Sequence, residues 1–347
     1  MKRYLLPLAL AIVSGACACS EDKQPEDKTP SAVSAPAFAK GADISWVTEM
    51  ESKGYSFSSS SGIPTECTAL MKELGCNAIR LRVWVDPADG WCNKEDVLEK
   101  AKRVQAQGMA LMVDFHYSDT WADPGKQTPP AAWKNLNVRE MASALEAHTT
   151  EVLQLLKSNK IDVAWVQVGN ETNTGMCWPQ GSVSNESAQG FITLANAGYK
   201  AVKEVYPGAL VILHHSNAQD LGANEWFYGL VGAASYDMIG LSLYPSYWQS
   251  GGYPDWMPFC SAAVENFAKL NQKFKKPVML VEFGMPASEP DKAKAALQYV
   301  LDGVKGKDWF KGVFYWEPES EKSRNGYDYG AFAGGKSTGV MDIFKNY

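Results

Sequence analysis

The sequence predicts an α/β fold, a single eight-stranded (β/α)8 barrel of the TIM type, over residues 39–347. Three observations lead there. From Gly41 onward, short apolar runs alternate with amphipathic stretches of helical period, the pattern of parallel βαβ units. Eight such runs fall across roughly 300 residues, which suits a closed barrel better than a doubly wound sheet. No Gly-x-Gly-x-x-Gly follows the first run, and no glycine-rich phosphate loop ends in Lys-Ser/Thr.

The strand candidates, in order, are Ala42–Ser45, Ala78–Val85, Ala110–Asp114, Ala164–Val168, Leu210–His214, Met238–Ser242, Val278–Glu282 and Gly312–Trp316. Helical patterns fill the gaps, the clearest being Glu95–Gln107, Arg139–Ser158, Ala188–Val205 and Asp291–Val304. The N-terminus reads as a targeting segment. Lys2 and Arg3 precede the apolar stretch Leu5–Val13, which is too short to span a bilayer. Ser14-Gly15-Ala16-Cys17-Ala18-Cys19 then resembles a bacterial lipoprotein signal, with Cys19 favoured over Cys17 because Ser20-Glu21-Asp22 follows it. Ordinary secretion with full cleavage is the alternative. Residues 20–38 are Ser, Glu, Asp, Lys, Pro and Ala with little to bury, the composition of a disordered tether. These readings make residues 1–19 an export signal. They put the protein at the outer membrane or cell surface of a Gram-negative bacterium, or outside the cell, touching membrane only through a lipid anchor.

Composition narrows the function. A hydrophobic content of 46% supports one large core, and a net charge of -6 with scattered Lys and Arg argues against nucleic acid, which needs a basic footprint. The 12 Trp and 15 Tyr, many beside polar loop residues, suit a glycan groove, where flat rings cover the C–H faces of sugars. Five cysteines follow the export segment (Cys67, Cys76, Cys92, Cys177 and Cys260), so at least one thiol stays outside any internal disulfide. With four His and no closely spaced Cys pair, neither a metal nor a cofactor is expected. The protein is expected to act as a monomer.

In a barrel the chemistry sits at the C-terminal ends of the strands. The second run carries Arg80 and Arg82 on one face, and the third ends in Asp114-Phe115-His116. The fourth ends in Gly169-Asn170-Glu171, the fifth in His214-His215, and the sixth leads into Ser242-Leu243-Tyr244-Pro245. The seventh ends at Glu282 and the eighth at Trp316-Glu317-Pro318. Glu171 and Glu282 each close an apolar strand, and strands four and seven face each other across the barrel mouth. Glycoside cleavage needs such a pair, one carboxyl to protonate the departing oxygen and another to attack or to activate water. His214 and His215 are neighbours on a strand and point to opposite faces, which speaks against a shared metal.

Asn-Glu closing strand four and Glu closing strand seven resemble clan A of the glycoside hydrolases, and within it the family 53 endo-β-1,4-galactanases. The matching segments are 41–45 (GADIS), 79–84 (IRLRVW), 114–124 (DFHYSDTWADP), 166–171 (VQVGNE), 239–245 (IGLSLYP) and 312–318 (GVFYWEP). Strand seven departs from the pattern. It reads Glu282-Phe283-Gly284-Met285-Pro286, where the family more often has Glu-Thr-Ala-Tyr-Pro, so one aromatic sugar contact is missing. Ala287–Asp291 is too short for the calcium loop of some bacterial members, so no calcium is expected there.

The resemblance implies a retaining hydrolase of β-1,4-galactan, the side chain of pectic arabinogalactan. Glu171 would be acid/base and Glu282 nucleophile, with the carboxyls about 5–5.5 Å apart. A cation such as Arg80 or Arg82 would keep Glu282 ionised. Asn170 would bind the 2-hydroxyl of the reacting sugar, Tyr244 would orient Glu282, and Trp316 would form the floor. His116, His214, Arg80, Arg82, Trp84, Trp121 and the loop Asp123-Pro124-Gly125-Lys126 are further sugar-contact candidates. The glutamate pair alone leaves open another clan A glycanase, acting on mannan, xylan or β-glucan. A sugar-binding lipoprotein without catalysis is the reading from a different class.

Overall fold

The computed structural model describes residues 1, 35–246 and 255–347. The chain divides into two compact units, residues 1–32 and 33–347, and the second carries everything discussed below. The expected export signal and the lipidation site at Cys17 or Cys19 lie outside the described residues. So does the tether up to residue 34. At its end, Phe38 already packs on the barrel, 6.3 Å from the Phe310 ring.

Eight parallel strands close into a barrel in sequential order, β1 (Ala39–Asp43), β2 (Ala78–Val83), β3 (Ala110–Phe115), β4 (Trp165–Val168), β5 (Leu210–His215), β6 (Met238–Leu243), β7 (Val278–Phe283) and β8 (Phe310–Trp316). β1 pairs with both β2 and β8, so no edge is left open. The helices between them are α1 (Val47–Ser52), α2 (Cys67–Glu73), α3 (Lys94–Ala106), α4 (Val138–Ser158), α5 (Gln189–Val205), α6 (Leu221–Leu230), α7 (Met257–Phe274) and α8 (Pro290–Val304). The four helices read from the sequence start within one residue of these bounds. Two of them are capped by side chains: Asn93 accepts from the Asp96 amide at the start of α3, and Asn137 forms a reciprocal capping box with Glu140 at the start of α4. α6 and α7, along with α1 and α2, were not legible as helical patterns.

The first strand needs the largest shift, from the expected Ala42–Ser45 to Ala39–Asp43. Ser45 turns back on Asp43, its amide at 3.0 Å and its hydroxyl at 2.5 Å from Oδ1, which ends the ladder there. β2 stops at Val83 because the Trp84 amide bonds Cys92 O and the Val85 amide bonds Ser118 O.

Side chains alternate in and out along each strand. The outward set packs under the helices as the main core, and a smaller inward plug closes the base of the barrel. That plug pairs small residues at the base of four neighbouring strands (Ala39, Ala78, Ala110 and, just before β4, Ala164) with the large rings of Trp165 and Phe314, 6.2 Å apart edge to face. Gly41 makes room for it, since a Cβ there would fall 2.1 Å from the Phe314 ring. Above the plug, inward positions turn polar, and the site begins. The five cysteines between Cys67 and Cys260 are all buried free thiols.

Candidate active site

The inward ladder sets the geometry. Register pairs Asp43 with Arg80, Arg82 with Asp114, Asp114 with Gln167, and Ser242 with Glu282. Adjacent strands therefore bring acids beside cations at one level of the barrel. Arg80 sits at the centre, fully buried, with Asp43 Oδ2 at 2.7 Å and Asp114 Oδ2 and Glu282 Oε1 each at 2.9 Å. It also donates to Asn170 Oδ1 at 2.9 Å. Burying one guanidinium among three carboxylates is tolerable only because nearly every charge has a close partner.

Glu282 finishes β7 with donors at both oxygens, Arg80 at Oε1 and the Tyr244 hydroxyl at 2.7 Å from Oε2. Burial pushes its carboxyl up, while Arg80 and Tyr244 pull the other way. Glu171 lies across the cleft, just past β4, in left-handed backbone at φ 42°. A side chain in that region is strained, and such strain concentrates at functional positions. Burial and the nearby charge of Glu282 raise the Glu171 carboxyl to about 8, and burial raises Glu282 to about 7, so the pair retains a proton near neutrality with Glu171 the more basic of the two.

The remaining expected residues divide into those that face the cleft and those beneath it. His116, Trp121, Asp123, Gly125, Asn170, Tyr244 and Trp316 line a cleft of about 720 Å³ together with the two glutamates. His116 donates from Nε2 to Asp114 at 2.9 Å, and burial lowers its pKa, so it is held as the neutral ring. Asn170 Nδ2 donates to Ala122 O at 2.9 Å. Asp123 folds its own loop by accepting from the Gly125 amide at 2.8 Å, and Gln127 ties that loop to Asn170 O at 2.8 Å. Lys126 is exposed and stands outside the cleft lining.

Four expected contacts are displaced downward. Arg80, Arg82 and His214 are at most 1% exposed, so none presents a surface to a sugar in this structure. Arg82 does not serve Glu282 either, since it pairs with Glu317 at 2.7 Å because its side chain rises one level higher in the barrel. Its guanidinium lies 4.3 Å from the Trp121 ring, 5.0 Å from Trp84 and 5.2 Å from Trp46. Trp84 is buried beneath Trp121 and donates to His116 Nδ1 at 3.3 Å, a support rather than a wall of the groove. His214 holds the Glu171 amide and Asn170 from below, while His215 faces out against Phe227 at 5.0 Å, as the alternation of the strand requires.

Sequence reasoning missed several lining residues. Asn217 follows β5, and Tyr327, Asp328 and Tyr329 come from the segment after β8. Tyr327 stands edge-on to Trp316 at 4.7 Å. It occupies space that Gly284 leaves open, since a Cβ there would fall 2.7 Å from the Tyr244 ring and 3.0 Å from the Tyr327 hydroxyl. The Tyr-Asp-Tyr spacing past the last strand was the only available hint. Among the described residues no group of three His, Cys, Asp or Glu side chains is arranged to hold a metal ion.

Residues 39–346 match the family model of glycosyl hydrolase family 53. The chain belongs to glycosyl hydrolase family 53. It is 31% identical over 304 residues to arabinogalactan endo-β-1,4-galactanase A of Aspergillus niger, covering 80% of this chain and 84% of that protein. It is 34% identical over 327 residues to an uncharacterized protein of Niallia circulans, covering 85% and 87%. Among solved structures, a fungal β-1,4-galactanase superposes with a TM-score of 0.80 at 28% identity, over 88% of this chain and 98% of that one. The family 53 catalytic domain of Ignisphaera aggregans gives 0.77 at 26%, over 89% and 96%. The family 53 match spans the whole barrel, including the segment after β8 that completes the cleft.

Proposed function

We propose that this chain is a retaining endo-β-1,4-galactanase in which Glu282 is the nucleophile and Glu171 the acid/base. The observation that carries it is the pair of carboxyls in one cleft with opposed environments. Burial raises both, but Glu282 has a cation and a phenol hydroxyl at its two oxygens pulling it back to about 7, while Glu171 has the neighbouring negative charge of Glu282 and is raised to about 8. The substrate follows from the galactanases to which the chain is similar.

In the first step, a Glu282 oxygen attacks the anomeric carbon as the glycosidic bond breaks. The Glu171 proton passes to the departing oxygen, leaving a glycosyl ester on Glu282 and an ionised Glu171. In the second, Glu171 takes a proton from water, whose oxygen attacks the same carbon and frees Glu282. Asn170 has one amide hydrogen left after Ala122 and is suited to a sugar 2-hydroxyl, a bond that strengthens as charge develops. Trp316 and Trp121, 5.9 Å apart and both lining the cleft, supply apolar faces for sugar rings.

Stereochemistry tests the assignment. Glu282→Ala is expected to abolish turnover whatever the leaving group. Glu171→Ala is expected to fail on galactan yet keep its first step on an activated aryl galacto-oligosaccharide, because a phenolate departs without a proton. Added azide should then release a β-galactosyl azide from Glu171→Ala and the α product from Glu282→Ala, read by proton NMR. Reversed configurations would swap the two roles, and unimpaired hydrolysis by both variants would sink the glycosidase mechanism. Product analysis on galactan beside mannan and xylan tests the substrate.

The proposal extends to location. Lys2, Arg3, the apolar stretch Leu5–Val13 and the cysteines at 17 and 19 support export and lipid anchoring. Radiolabelled palmitate should mark the intact protein and be lost from Cys19→Ala. Label retained there would move the anchor to Cys17.

A further inference from the structure

Asn217, just past β5, is a wall of two cavities. On one side lies the cleft with Glu171 and Glu282. On the other, the described residues form a second groove of about 550 Å³ between the start of α6 and the start of α7, lined also by Gln219, Asp220, Leu221, Pro258 and Phe259. The loop that carries Asn217 and Gln219 is fixed from below. The buried Asn224 side chain donates to Asn217 O at 2.9 Å and to Asp220 O at 2.7 Å. Asn266 of α7 donates to Ala218 O at 3.0 Å, and the Ala218 amide donates to Ser242 O on β6 at 2.9 Å. Anchors from three elements hold this loop in one shape, as a preformed ligand site requires. Asp220 spends Oδ1 on the Ala223 amide at the start of α6. The half-buried Gln219 side chain bonds no other described residue, which leaves amide donors and an acceptor on the groove. Leu221 and Phe259, also half-buried, supply apolar lining. That combination matches a galactosyl residue. It has hydroxyls at its rim and, because its 4-hydroxyl is axial, a continuous C–H face at C3, C4 and C5 that suits an aromatic ring.

The place of the groove decides which sugars it meets. Asn173 ties the Glu171 segment to Ser216 by bonds of 2.7 and 2.9 Å, so Glu171, Ser216 and Asn217 make one end of the cleft. Trp316 and Tyr327 lie past Glu282, at the β8 end. An acid protonates the oxygen of the departing sugar, so the departing chain runs toward the Glu171 end. We propose that the groove is a subsite for the departing side of the galactan chain, beyond the sugar whose oxygen Glu171 protonates. Gln219 bonds a hydroxyl there and Phe259 covers a C–H face. This rests on the assignment of Glu171 as acid/base. Chain length on the departing side then contributes binding, and placements well inside a chain are favoured over those at its reducing end.

The test is the cleavage pattern of a β-1,4-galactohexaose tagged at its reducing end, so that every tagged product is a departing group. The variants are Gln219→Ala, Phe259→Ala and Phe259→Tyr, each checked for folding by circular dichroism and melting. Weakening a distant departing-side contact disfavours the placements that fill it, so tagged products from either alanine variant should become shorter. Their kcat/KM on galactan should fall by about tenfold relative to that on an activated aryl galacto-oligosaccharide, whose aryl group stops short of the groove. Phe259→Tyr keeps the ring and should keep the parental pattern. Damage to the fold lowers rates on both substrates without moving the cut, so the pattern separates binding from structure. An unmoved pattern in both folded alanine variants overturns the inference. So do longer tagged products, which place the groove on the other side of the broken bond. If Phe259→Ala does not fold, an unmoved pattern in Gln219→Ala overturns it alone. The azide products of Glu171→Ala separate the two failures: a missing β-azide removes the acid/base assignment itself, whereas a normal β-azide with an unmoved cut removes only the subsite.

Discussion

Arg80 and Arg82 stand two residues apart on β2, share its inward face and are both fully buried, yet they do different work. Arg80 is surrounded by carboxylates, Asp43, Asp114 and Glu282 all within 2.9 Å. Arg82 has one carboxylate, Glu317, and otherwise looks onto three indole rings. Moving one level up the barrel turns a charge that tunes the Glu282 carboxylate into a charge that braces an aromatic platform. The partners differ in their own protonation as well. Burial raises the Glu317 carboxyl against the pull of Arg82, and Glu319 is raised well above the usual range by burial and by Glu317. The lesson is that burial of a cation says little about its role until its acceptors are counted.

The largest expected effect is at Arg80. Arg80→Met leaves three buried carboxylates without their common cation, which costs about 3–5 kcal/mol and should lower the melting temperature by roughly 10 °C. The Glu282 carboxyl rises as well, because Arg80 is the main influence holding it down. Turnover on galactan should fall by about a thousandfold or more near neutral pH. Retained activity would show that Glu282 does not depend on this ion pair.

Arg82→Met should be milder. Glu317 can take up a proton when its cation is lost, and the thioether still fills space beneath the rings. The expected result is a KM for galactan raised by roughly 3- to 10-fold with kcat changed about threefold or less, a split measurable by steady-state kinetics. Equal losses at Arg80 and Arg82 would break the distinction drawn between them.

The smallest effect is a shift rather than a loss. The Tyr244 hydroxyl lowers the Glu282 carboxyl, so removing it in Tyr244→Phe makes Glu282 ionise at higher pH. As the proposed nucleophile Glu282 must be ionised to attack, so the acid limb of kcat/KM should move upward by roughly one unit while the alkaline limb stays. A shift of the alkaline limb instead would attach Tyr244 to Glu171.

Most of the scaffold was legible along the chain because barrel strands are continuous apolar runs and their long helices carry a clear apolar period. All eight strands were found, with ends moved by up to three residues, and β1 stops two residues early where Asp43 diverts Ser45. α1 and α2 are too short to show a period, and α6 carries apolar residues on more than one face, which blurs it. In the site, Glu171, Glu282, Asn170 and Tyr244 stood out as polar residues directly after apolar strands. Trp84 stood at an equivalent place and proved to be packed beneath Trp121, a depth that no local pattern encodes. Tyr327 and Tyr329 escaped notice because they sit in an irregular segment whose path depends on what it meets at the rim.

The sequence by itself determined the barrel, its family resemblance and the two carboxyls opposed across its mouth, since each depends on local hydrophobic period or on a residue's place at a strand end. Only the tertiary structure decided what surrounds those carboxyls. Which arginine reaches Glu282, which tryptophans face the cleft and what His214 holds in place all depend on the register and closure of the sheet. These bring together side chains from β1, β2, β5, β6 and β7 that are far apart along the chain. Electrostatic and hydrogen-bond partners act over a few ångströms of space, and distance along the chain does not measure that space.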